Sequence, residues 1–173
     1  KPLAVVGGGN SAIQEALFFF FYASHIDLLV RSTVKASDVL QHDLQEHIDN
    51  GKITLHLGTT TDEIIAKDGK VVGVKVTEAG VSHTISADGI FIFVGLKPNT
   101  DFLSGSGVEL DERGLVQTNV HLETSLPGVF ASGDVRSGAT MQIASAVGEG
   151  ASAALSIREY LTAFNKNTVA TTK

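Results

Sequence analysis

Hydrophobic residues in the first half of the chain fall into short apolar runs, separated by longer stretches with helical spacing. Runs of strand character lie at residues 3–6, 26–30, 53–57 and 90–94. Because strands that alternate with helical segments form parallel sheets, this order predicts an α/β fold. The run at residues 90–94 is apolar at every position, which is typical of a parallel strand covered on both faces.

Two amphipathic helices are expected between the first three strands. The first covers residues 13–23. Its apolar stripe, which should face the sheet, consists of Ile13, Leu17, Phe20 and Phe21. Other large apolar side chains fall elsewhere around the helix: Phe18, Phe19 and Tyr22. They either pack within the same domain or cover a contact with another domain or a second copy of the chain, since such a patch is seldom left in water.

The second helix covers residues 37–50 and has Ser37 available as its N-cap. Its apolar line consists of Leu40, Leu44 and Ile48. After the third strand, three short strands with turn residues between them predict a three-stranded antiparallel meander. These strands are expected at residues 59–65, 71–78 and 81–86.

The remainder of the chain has a weaker pattern. Residues 129–131 are expected to form a strand before a Gly-Asp turn, and residues 142–164 a long helix rich in Ala and Gly. The helix positions expected to pack are Val147, Ala151, Ala154, Leu155 and Leu161. A change of composition near residue 97 divides the chain into a domain at residues 1–97, a partial domain at residues 98–164, and a frayed tail at residues 165–173 with nothing to bury.

The turn after the first strand has the pattern Gly-x-Gly-x-x-Ala and leads directly into the first helix. Gly7 permits the tight turn, Gly9 leaves room for a pyrophosphate, and Ala12 lets the helix lie close to the strand. The free N–H groups where the helix starts, at Asn10 and Ser11, are expected to face the phosphates. This context predicts a Rossmann-like domain that binds a dinucleotide. An ordinary glycine turn is the alternative.

The end of the second strand bears on the choice of nucleotide. An acid there would bind the ribose hydroxyls of NAD, but the residue is Arg31, with Ser32 and Lys35 close behind it. These groups suit a 2′-phosphate, and a charged hydrogen bond of about 1.5–3 kcal/mol would favour NADP about 10- to 150-fold. Ordinary solvated surface cations are the alternative. Gly95 ends the fourth apolar run, where a cofactor would lie.

Composition limits the other functions. The chain has 173 residues and a formal net charge of −6, without a basic cluster, so neither nucleic acid nor a membrane surface is an expected partner. It has no cysteine, which excludes dithiol and zinc-thiolate chemistry within this sequence. No apolar run is long enough to span a bilayer and no signal peptide is expected, so we expect a cytoplasmic location. The six histidines are scattered, and neither a metal site nor a catalytic residue is predicted.

Further segments extend the pattern. Residues 5–12 with residues 15–17 resemble the NADPH motif of the thioredoxin reductase family. Members of this family are flavoprotein disulfide reductases with two dinucleotide-binding domains. Residues 93–100 resemble the family's interdomain segment. The family's second FAD motif is similar to residues 127–135, 142–146 and 148–150. These matches follow in the family's order and cover nearly the whole chain.

The resemblance implies that NADPH reduces FAD, and that the reduced flavin passes electrons to a cysteine pair and on to a thioredoxin-like or other redox protein. It implies that Asp134, after Gly133, hydrogen-bonds the ribityl chain of FAD. It also implies that Met141, Gln142 and Ile143 approach the isoalloxazine. On the residues alone, Asp134 would be a turn residue before a helix. The resemblance thus places the C-terminal part of an FAD-binding domain after the NAD(P)H-binding domain.

Three features depart from the family's pattern. The Gly-rich first FAD motif and the Cys-x-x-Cys pair are absent from this sequence. Of the family's basic trio at the NADPH ribose, Arg31 is matched, whereas the next position is Ser32. The loop at residues 35–40 resembles that of the flavoprotein component of alkyl hydroperoxide reductase, which prefers NADH. Both NADP and NAD therefore stay open.

Half of a parallel sheet would leave unpaired backbone and bare apolar surface. We therefore expect a fragment or one half of a split reductase, which holds FAD only when the missing N-terminal half of the FAD domain is supplied. By itself it should not reduce disulfides. Two other functions stay open: a thioredoxin-reductase-like ferredoxin–NAD(P) reductase, which needs no cysteine pair, and a non-catalytic nucleotide-binding or oligomerisation module. A homodimer is a further open partner.

Overall fold

The computed structural model describes residues 1–171, with side chains described for residues 1–165. The chain divides into two compact units, Lys1–Gly95 and a second unit that begins at Leu96. The elements of the first unit are, in chain order, β1 (Pro2–Val6), α1 (Asn10–Phe19), β2 (His25–Val30), α2 (Asp38–Asp49), β3 (Ile53–Leu57), β4 (Thr59–Lys67), β5 (Lys70–Glu78), β6 (Val81–Ser86) and β7 (Gly89–Ile92).

The first unit is built on a parallel sheet of four strands in the order β3-β2-β1-β7. Val5 of β1 lies opposite Leu28 of β2 on one side and opposite Phe91 of β7 on the other. The chain therefore leaves β1 and β2 at the same edge of the sheet, which brings the two following loops together. The expected α/β fold with a Rossmann-like parallel sheet is confirmed.

The meander strands β4, β5 and β6 form a separate antiparallel sheet, as predicted. It covers one face of the parallel sheet, where Val74 and Val76 of β5 pack against Ala4, Val6 and Leu29. Helices α1 and α2 cover the other face. The core on that side includes Val5, Ala12, Ile13, Ala16, Ile26, Leu28, Val30, Leu44 and Ile53. Alternate residues of β1 thus point into two different cores, which explains why the strand is apolar throughout.

Strand β7 differs from its prediction. It ends at Ile92, and as the edge strand it leaves the Ile92 side chain 53% exposed and the following Val94 73% exposed. The expectation that residues 90–94 would be covered on both faces was wrong for these positions. An edge strand has a hydrogen-bonded neighbour on one side only, so less of the chain is available to cover it.

Helix α1 is shorter than predicted and ends at Phe19. The next N–H groups, of Phe21 and Tyr22, bond to the carbonyls three residues back, so the last turn is tighter than an α-helix. This change of period takes Phe21 off the stripe predicted to face the sheet and leaves it 75% exposed. Phe19, predicted to lie elsewhere, instead packs against the core with Phe20, and its ring centroid lies 4.1 Å from that of Phe91.

In the second unit, short 3₁₀ turns at Asp101–Leu103 and Gly133–Val135 precede the long helix α3 (Ile143–Thr171). The strand predicted at residues 129–131 is not present. Phe130 forms only an isolated antiparallel bridge with Glu123, because this segment pairs with one short neighbouring stretch and joins no sheet. Helix α3 continues beyond the predicted end at Phe164 to Thr171, and residues 172 and 173 of the predicted tail lie outside the described residues.

The face by which α3 packs was also predicted wrongly. All five expected packing positions, Val147, Ala151, Ala154, Leu155 and Leu161, are exposed. The helix is instead held by residues more than a third of a turn away, including buried Ala153, while the ring of Tyr160 contacts Phe130 edge-on at 6.0 Å. The contacts that hold the helix are thus the ion pair of Glu149 with Arg136, the buried Ala153 and the ring of Tyr160.

Candidate functional site

The Gly-rich turn after β1 is held by bonds to both neighbouring strands. The N–H of Gly7 donates to the carbonyl of Leu29 at 3.0 Å, and the N–H of Phe93 donates to the carbonyl of Val6 at 2.7 Å. Gly7 has a φ of +140°, and a Cβ there would lie 2.3 Å from the Phe93 carbonyl oxygen. Only glycine fits this position.

Gly9 is glycine for a different reason. A Cβ at Gly9 would meet nothing within 4 Å, so the space above this residue is open to an approaching ligand. Gly9 is also the N-cap of α1 and has an extended backbone. The first bond of the helix runs from the N–H of Ile13 to the carbonyl of Gly9, at 3.2 Å. The N–H groups of residues 10–12 therefore have no acceptor within the helix, and no acid lies in its first turn. This end of α1 suits an anion.

A cleft of about 590 Å³ opens at this edge of the parallel sheet. Six of the predicted cofactor-binding residues line it: Gly7, Gly9, Arg31, Ser32, Lys35 and Gly95. Thr33, of the same loop as Arg31 and Lys35, also lines it, and the structure adds residues that the sequence pattern did not single out: Gly8, Thr59, Thr60, Thr61, Phe93 and Val94. The strand ends and the first strand of the meander thus form one concave surface.

The charged groups of this cleft are both cationic. Arg31 and Lys35 are exposed, and neither side chain forms an ion pair or a side-chain hydrogen bond within the described part of the chain. Among the described residues that line the cleft there is no carboxylate. A phosphate entering here would meet two uncompensated cations and the start of a helix.

Three predicted site residues do not line the cleft. Ala12 is completely buried beneath the glycine turn, where a Cβ on Gly7 would come within 3.0 Å of its methyl group. Asn10 and Ser11 are exposed in the first turn of α1. The Asn10 side chain turns toward the loop after β2, where its Oδ1 accepts a hydrogen bond of 2.9 Å from the N–H of Ser37.

The three threonines at the start of β4 were missed by the sequence interpretation. Thr59 donates to the carbonyl of Leu57 at 3.2 Å, and Thr60 donates to the Asp62 carboxylate at 3.1 Å. The hydroxyl of Thr61 is buried and has no hydrogen-bond partner among the described residues. A run of three hydroxyl residues directly after β3 was the available signal, because strand ends on one edge converge.

In the second unit, a cleft of about 560 Å³ brings together two of the residues expected at FAD, Asp134 and Met141. The other residues lining it are Leu96, Lys97, Pro98, Asn99, Arg113, Leu115 and Val135. Gln142 and Ile143 do not line this cleft, and Ile143 is 86% exposed at the start of α3. Asp134 is exposed and its carboxylate accepts no hydrogen bond from the described residues.

The turn that carries Asp134 is held by hydrogen bonds to Glu149 of α3. The carboxylate of Glu149 accepts a hydrogen bond of 2.8 Å from the N–H of Gly133 and pairs with Arg136 through two further bonds. Gly133, predicted to bind cofactor, is therefore buried with its N–H already bonded. The Arg136 guanidinium and then the Gly133 N–H lower the pKa of Glu149, and the Glu149 carboxylate raises the pKa of Arg136.

Asp111 organises the loop on the other side of this cleft. Its Oδ1 accepts hydrogen bonds of 2.9 Å from the N–H groups of Arg113 and Leu115, and its Oδ2 accepts one of 2.7 Å from the Ser137 hydroxyl. The bond from Leu115, followed by that from Ser137, lowers the pKa of Asp111. Asp111 therefore has a defined structural role in holding this loop.

Three of the scattered histidines meet in the fold. His56 lies between two carboxylates, with Nε2 2.9 Å from Asp27 and Nδ1 3.7 Å from Glu78. His25 lies 3.8 Å from Asp27, and His83 lies 3.9 Å from Glu78. Because Asp27 belongs to β2 and Glu78 to β5, this chain of groups links the two sheets. Within the described residues, these groups do not form a cluster that could hold a metal ion.

The parallel sheet order and the glycine turn at the start of α1 define an α/β protein, and a glycine turn in this position is typical of folds that bind dinucleotides. A profile of the pyridine nucleotide-disulphide oxidoreductase family matches residues 1–150, so the chain belongs to this family. Within residues 1–171, no helix combines the length and the apolar character needed to cross a membrane.

The similar proteins agree with the resemblance seen in the sequence. Thioredoxin reductase of Coxiella burnetii is 34% identical over 174 residues, which cover 96% of this chain and 54% of that protein. An alkyl hydroperoxide reductase component of Staphylococcus aureus is 37% identical over 164 residues, covering 93% of this chain and 31% of that protein. The crystal structure of Lactococcus lactis thioredoxin reductase matches with a TM-score of 0.75 and 34% identity, covering 93% of this chain and 53% of that one. The chain thus spans about half the length of these thioredoxin reductases, and 31% of the alkyl hydroperoxide reductase component.

Proposed function

We propose that the cleft of the first unit binds a pyridine dinucleotide and prefers NADPH to NADH. The observation that carries this proposal is the glycine turn, where the open space at Gly9 adjoins the start of α1 and two cations without acidic partners. A pyrophosphate at Gly9 would accept hydrogen bonds from the free N–H groups of the first turn of α1. The strands β2 and β7 lie on opposite sides of β1, so a dinucleotide would extend across β1 toward both.

The two ends of the nucleotide would meet different chemistry. On the β2 side, Arg31, Ser32 and Lys35 present charged and hydroxyl donors to the adenosine ribose and its 2′-phosphate. On the β7 side, Phe93, Val94 and Gly95 form a more apolar wall for the nicotinamide. This arrangement supports the division into an NAD(P)H-binding domain at residues 1–97 and a following domain.

We further propose that the following domain, at residues 98–164, contributes part of an FAD site. The lack of internal partners for the Asp134 carboxylate supports this role, since the carboxylate is free to accept a hydrogen bond from a ligand hydroxyl. The exposed apolar face of α3 would then be covered by the missing part of the FAD domain, which supplies the other half of the site.

In the whole protein, we propose the reaction of an NAD(P)H-dependent flavoprotein oxidoreductase of the thioredoxin reductase type. When bound, the nicotinamide supplies a hydride and FAD carries the two electrons onward to a disulfide of a thioredoxin-like or other redox partner. The residues of this chain bind and orient the cofactors. With no cysteine of its own, the chain supplies neither sulfur of a redox-active pair.

Titration calorimetry of the chain with NADPH and NADH tests the nucleotide proposal. We expect NADPH to bind about tenfold more tightly or better, the factor that one charged hydrogen bond to the 2′-phosphate supplies. Comparing the affinities for adenosine 2′,5′-bisphosphate and AMP isolates the contribution of the 2′-phosphate. Binding of neither dinucleotide would overturn the proposal, and equal binding of both would overturn the preference.

The visible absorption spectrum of the purified chain, before and after addition of FAD, tests the flavin proposal separately. We expect no bound flavin band in the chain alone, and a band once the missing half of the FAD domain is added. Retention of flavin by the chain alone would contradict the proposed need for that half.

A further inference from the structure

The glycine turn and the loop that carries the two cations are joined directly. The N–H of Lys35 donates to the carbonyl of Gly8 at 2.6 Å, and the N–H of Ser37 donates to Oδ1 of Asn10 at 2.9 Å. The two segments are also in close contact, because a Cβ on Gly8 would lie 3.1 Å from the carbonyl oxygen of Thr33. The cation loop, residues 31–37, is thereby fixed against the start of α1 at both its middle and its end.

This fixation adds to two other anchors of the cation loop: Val34 and Ala36 pack against the core of the first unit, and the Gln41 side chain donates to the Ala36 carbonyl at 2.7 Å. The loop contains neither helix nor strand, and the side chains of Arg31 and Lys35 have no ion-pair partner in the described residues. Ordering such a segment at the moment of binding would cost affinity for every residue that is fixed. A loop already held in place avoids this cost for a ligand group that reaches Arg31 and Lys35.

The two bonds differ in what can remove them. The bond from Lys35 to Gly8 joins two backbone groups, whereas the bond from Ser37 depends on the side chain of Asn10. Because the donor is an N–H, the Asn10 atom that faces it must be the amide oxygen. The Asn10 side chain bonds to the cation loop and does not line the cleft, so an effect of this side chain on a bound nucleotide would pass through the cation loop.

We infer that Asn10 is a positioning residue for nucleotide selection, which holds Arg31 and Lys35 where they meet a 2′-phosphate. This role rests on the proposed binding of NADPH. It differs from the role expected from the sequence, in which Asn10 contacts the cofactor itself. A positioning role affects NADPH, which carries the 2′-phosphate, far more than NADH, which does not.

Substitutions at both ends of the Asn10–Ser37 bond test this role. Asn10→Ala removes the acceptor. Ser37→Pro removes the donor without touching the cleft, and the φ of Ser37, −59°, already suits proline. Ser37→Ala is the matched control, since it keeps the N–H and the Ser37 side chain makes no capping hydrogen bond. Circular dichroism and the thermal midpoint of each variant report whether it folds.

Calorimetry with NADPH and NADH on the full chain then gives the ratio of the two dissociation constants. For Asn10→Ala and Ser37→Pro we expect the preference for NADPH to fall about fivefold, as the loss of one ordinary hydrogen bond predicts, with NADH affinity nearly unchanged. Ser37→Ala should keep the wild-type ratio. If the folded Asn10→Ala and Ser37→Pro variants keep the wild-type ratio of dissociation constants, or lose affinity for both nucleotides equally, the role of Asn10 is overturned. The proposed binding of NADPH would stand in that case. A wild-type chain that binds neither nucleotide would overturn the proposed function and this role with it.

Discussion

The guanidinium of Arg136 forms a two-point ion pair with the carboxylate of Glu149, with Nε 3.1 Å from Oε2 and Nη2 2.5 Å from Oε1. The pair joins the end of the turn that carries Asp134 to the second turn of α3. Its side chains are only 18% and 19% exposed, so the pair is partly shielded from water. Because Glu149 also accepts the N–H of Gly133, one carboxylate fixes both ends of the turn.

Replacing Glu149 is therefore expected to loosen this turn. Glu149→Ala leaves the Gly133 N–H and the Arg136 guanidinium without their acceptor, and should destabilise the second unit by about 1.5–3 kcal/mol. Glu149→Gln keeps a neutral acceptor and should cost less. Hydrogen exchange of peptides covering residues 130–140 measures the local effect, and denaturant unfolding measures the total change in stability.

Glu159→Ala is the matched control on the same helix. The exposed Glu159 has no partner in the described residues, so this substitution should change stability by less than about 0.5 kcal/mol. Equal protection in Glu149→Ala and Glu159→Ala would refute the clamp.

The same pair predicts a dependence on pH. Arg136 and the Gly133 N–H lower the pKa of Glu149 in the folded chain, so its ionised form stabilises the fold. That contribution is complete above the pKa of an unfolded glutamate, about 4.3, and is lost as the pH falls through the lower folded pKa. The difference in unfolding free energy between wild type and Glu149→Gln should be constant near neutral pH and shrink below about pH 4.3.

Glu159→Gln, which removes a carboxylate from the same helix, supplies the baseline for that measurement. The lowered pKa of Asp111 adds acid sensitivity of the same sign, but it is present in both proteins and cancels in the comparison. A wild-type advantage over Glu149→Gln that grows on acidification would contradict the assigned direction.

The glycine turn allows stability and binding to be separated. Gly9→Ala places a methyl group in open space at an allowed φ of −91°, so the fold should tolerate it at a cost of about 1 kcal/mol from the weaker N-cap. The methyl group would obstruct the pyrophosphate, so affinity for NADPH and NADH should fall together by about tenfold or more. Calorimetry and thermal unfolding measure the two effects on the same sample.

Gly7→Ala gives the contrasting result. Its Cβ would lie 2.3 Å from a carbonyl oxygen at a φ of +140°, so we expect a loss of several kcal/mol and a first unit that no longer unfolds cooperatively. If Gly9→Ala bound both nucleotides like wild type, the pyrophosphate would not lie at this glycine.

The fold of the first unit could be predicted because two independent patterns agree there. Apolar runs of strand length alternate with segments of helical period, and the glycine turn stands between the first strand and the first helix. Each pattern is local in sequence. The cleft follows from them, since parallel strands end at a common edge, and this explains why Gly9, Arg31 and Gly95 could be placed in it without a structure.

The features that could not be predicted depend on contacts between distant residues. Nothing near Asn10 in sequence indicates that its side chain bonds to Ser37, 27 residues away. The packing of α3 was predicted wrongly because a set of apolar residues was taken to mark its buried face, whereas the ion pair to Glu149 and the small side chain of Ala153 fix it on another. At Phe21, a tighter last turn changed the period on which the prediction relied.

Arg31 is the residue on which the preference for NADPH depends most directly. It ends the strand nearest the adenosine side of the cleft, and its guanidinium has no ion-pair partner in residues 1–165. Arg31→Ala should weaken NADPH binding about 10- to 150-fold, which corresponds to one charged hydrogen bond to the 2′-phosphate, and should weaken NADH about twofold or less. Arg158→Ala removes another exposed guanidinium, from α3, and should leave both dissociation constants unchanged. Titration calorimetry of wild type and both variants at two salt concentrations separates a direct contact with the phosphate from a long-range effect of the lost positive charge. The long-range effect is screened at high salt, whereas the direct contact persists. Equal losses for NADPH and NADH in Arg31→Ala would show that Arg31 holds a part common to both nucleotides.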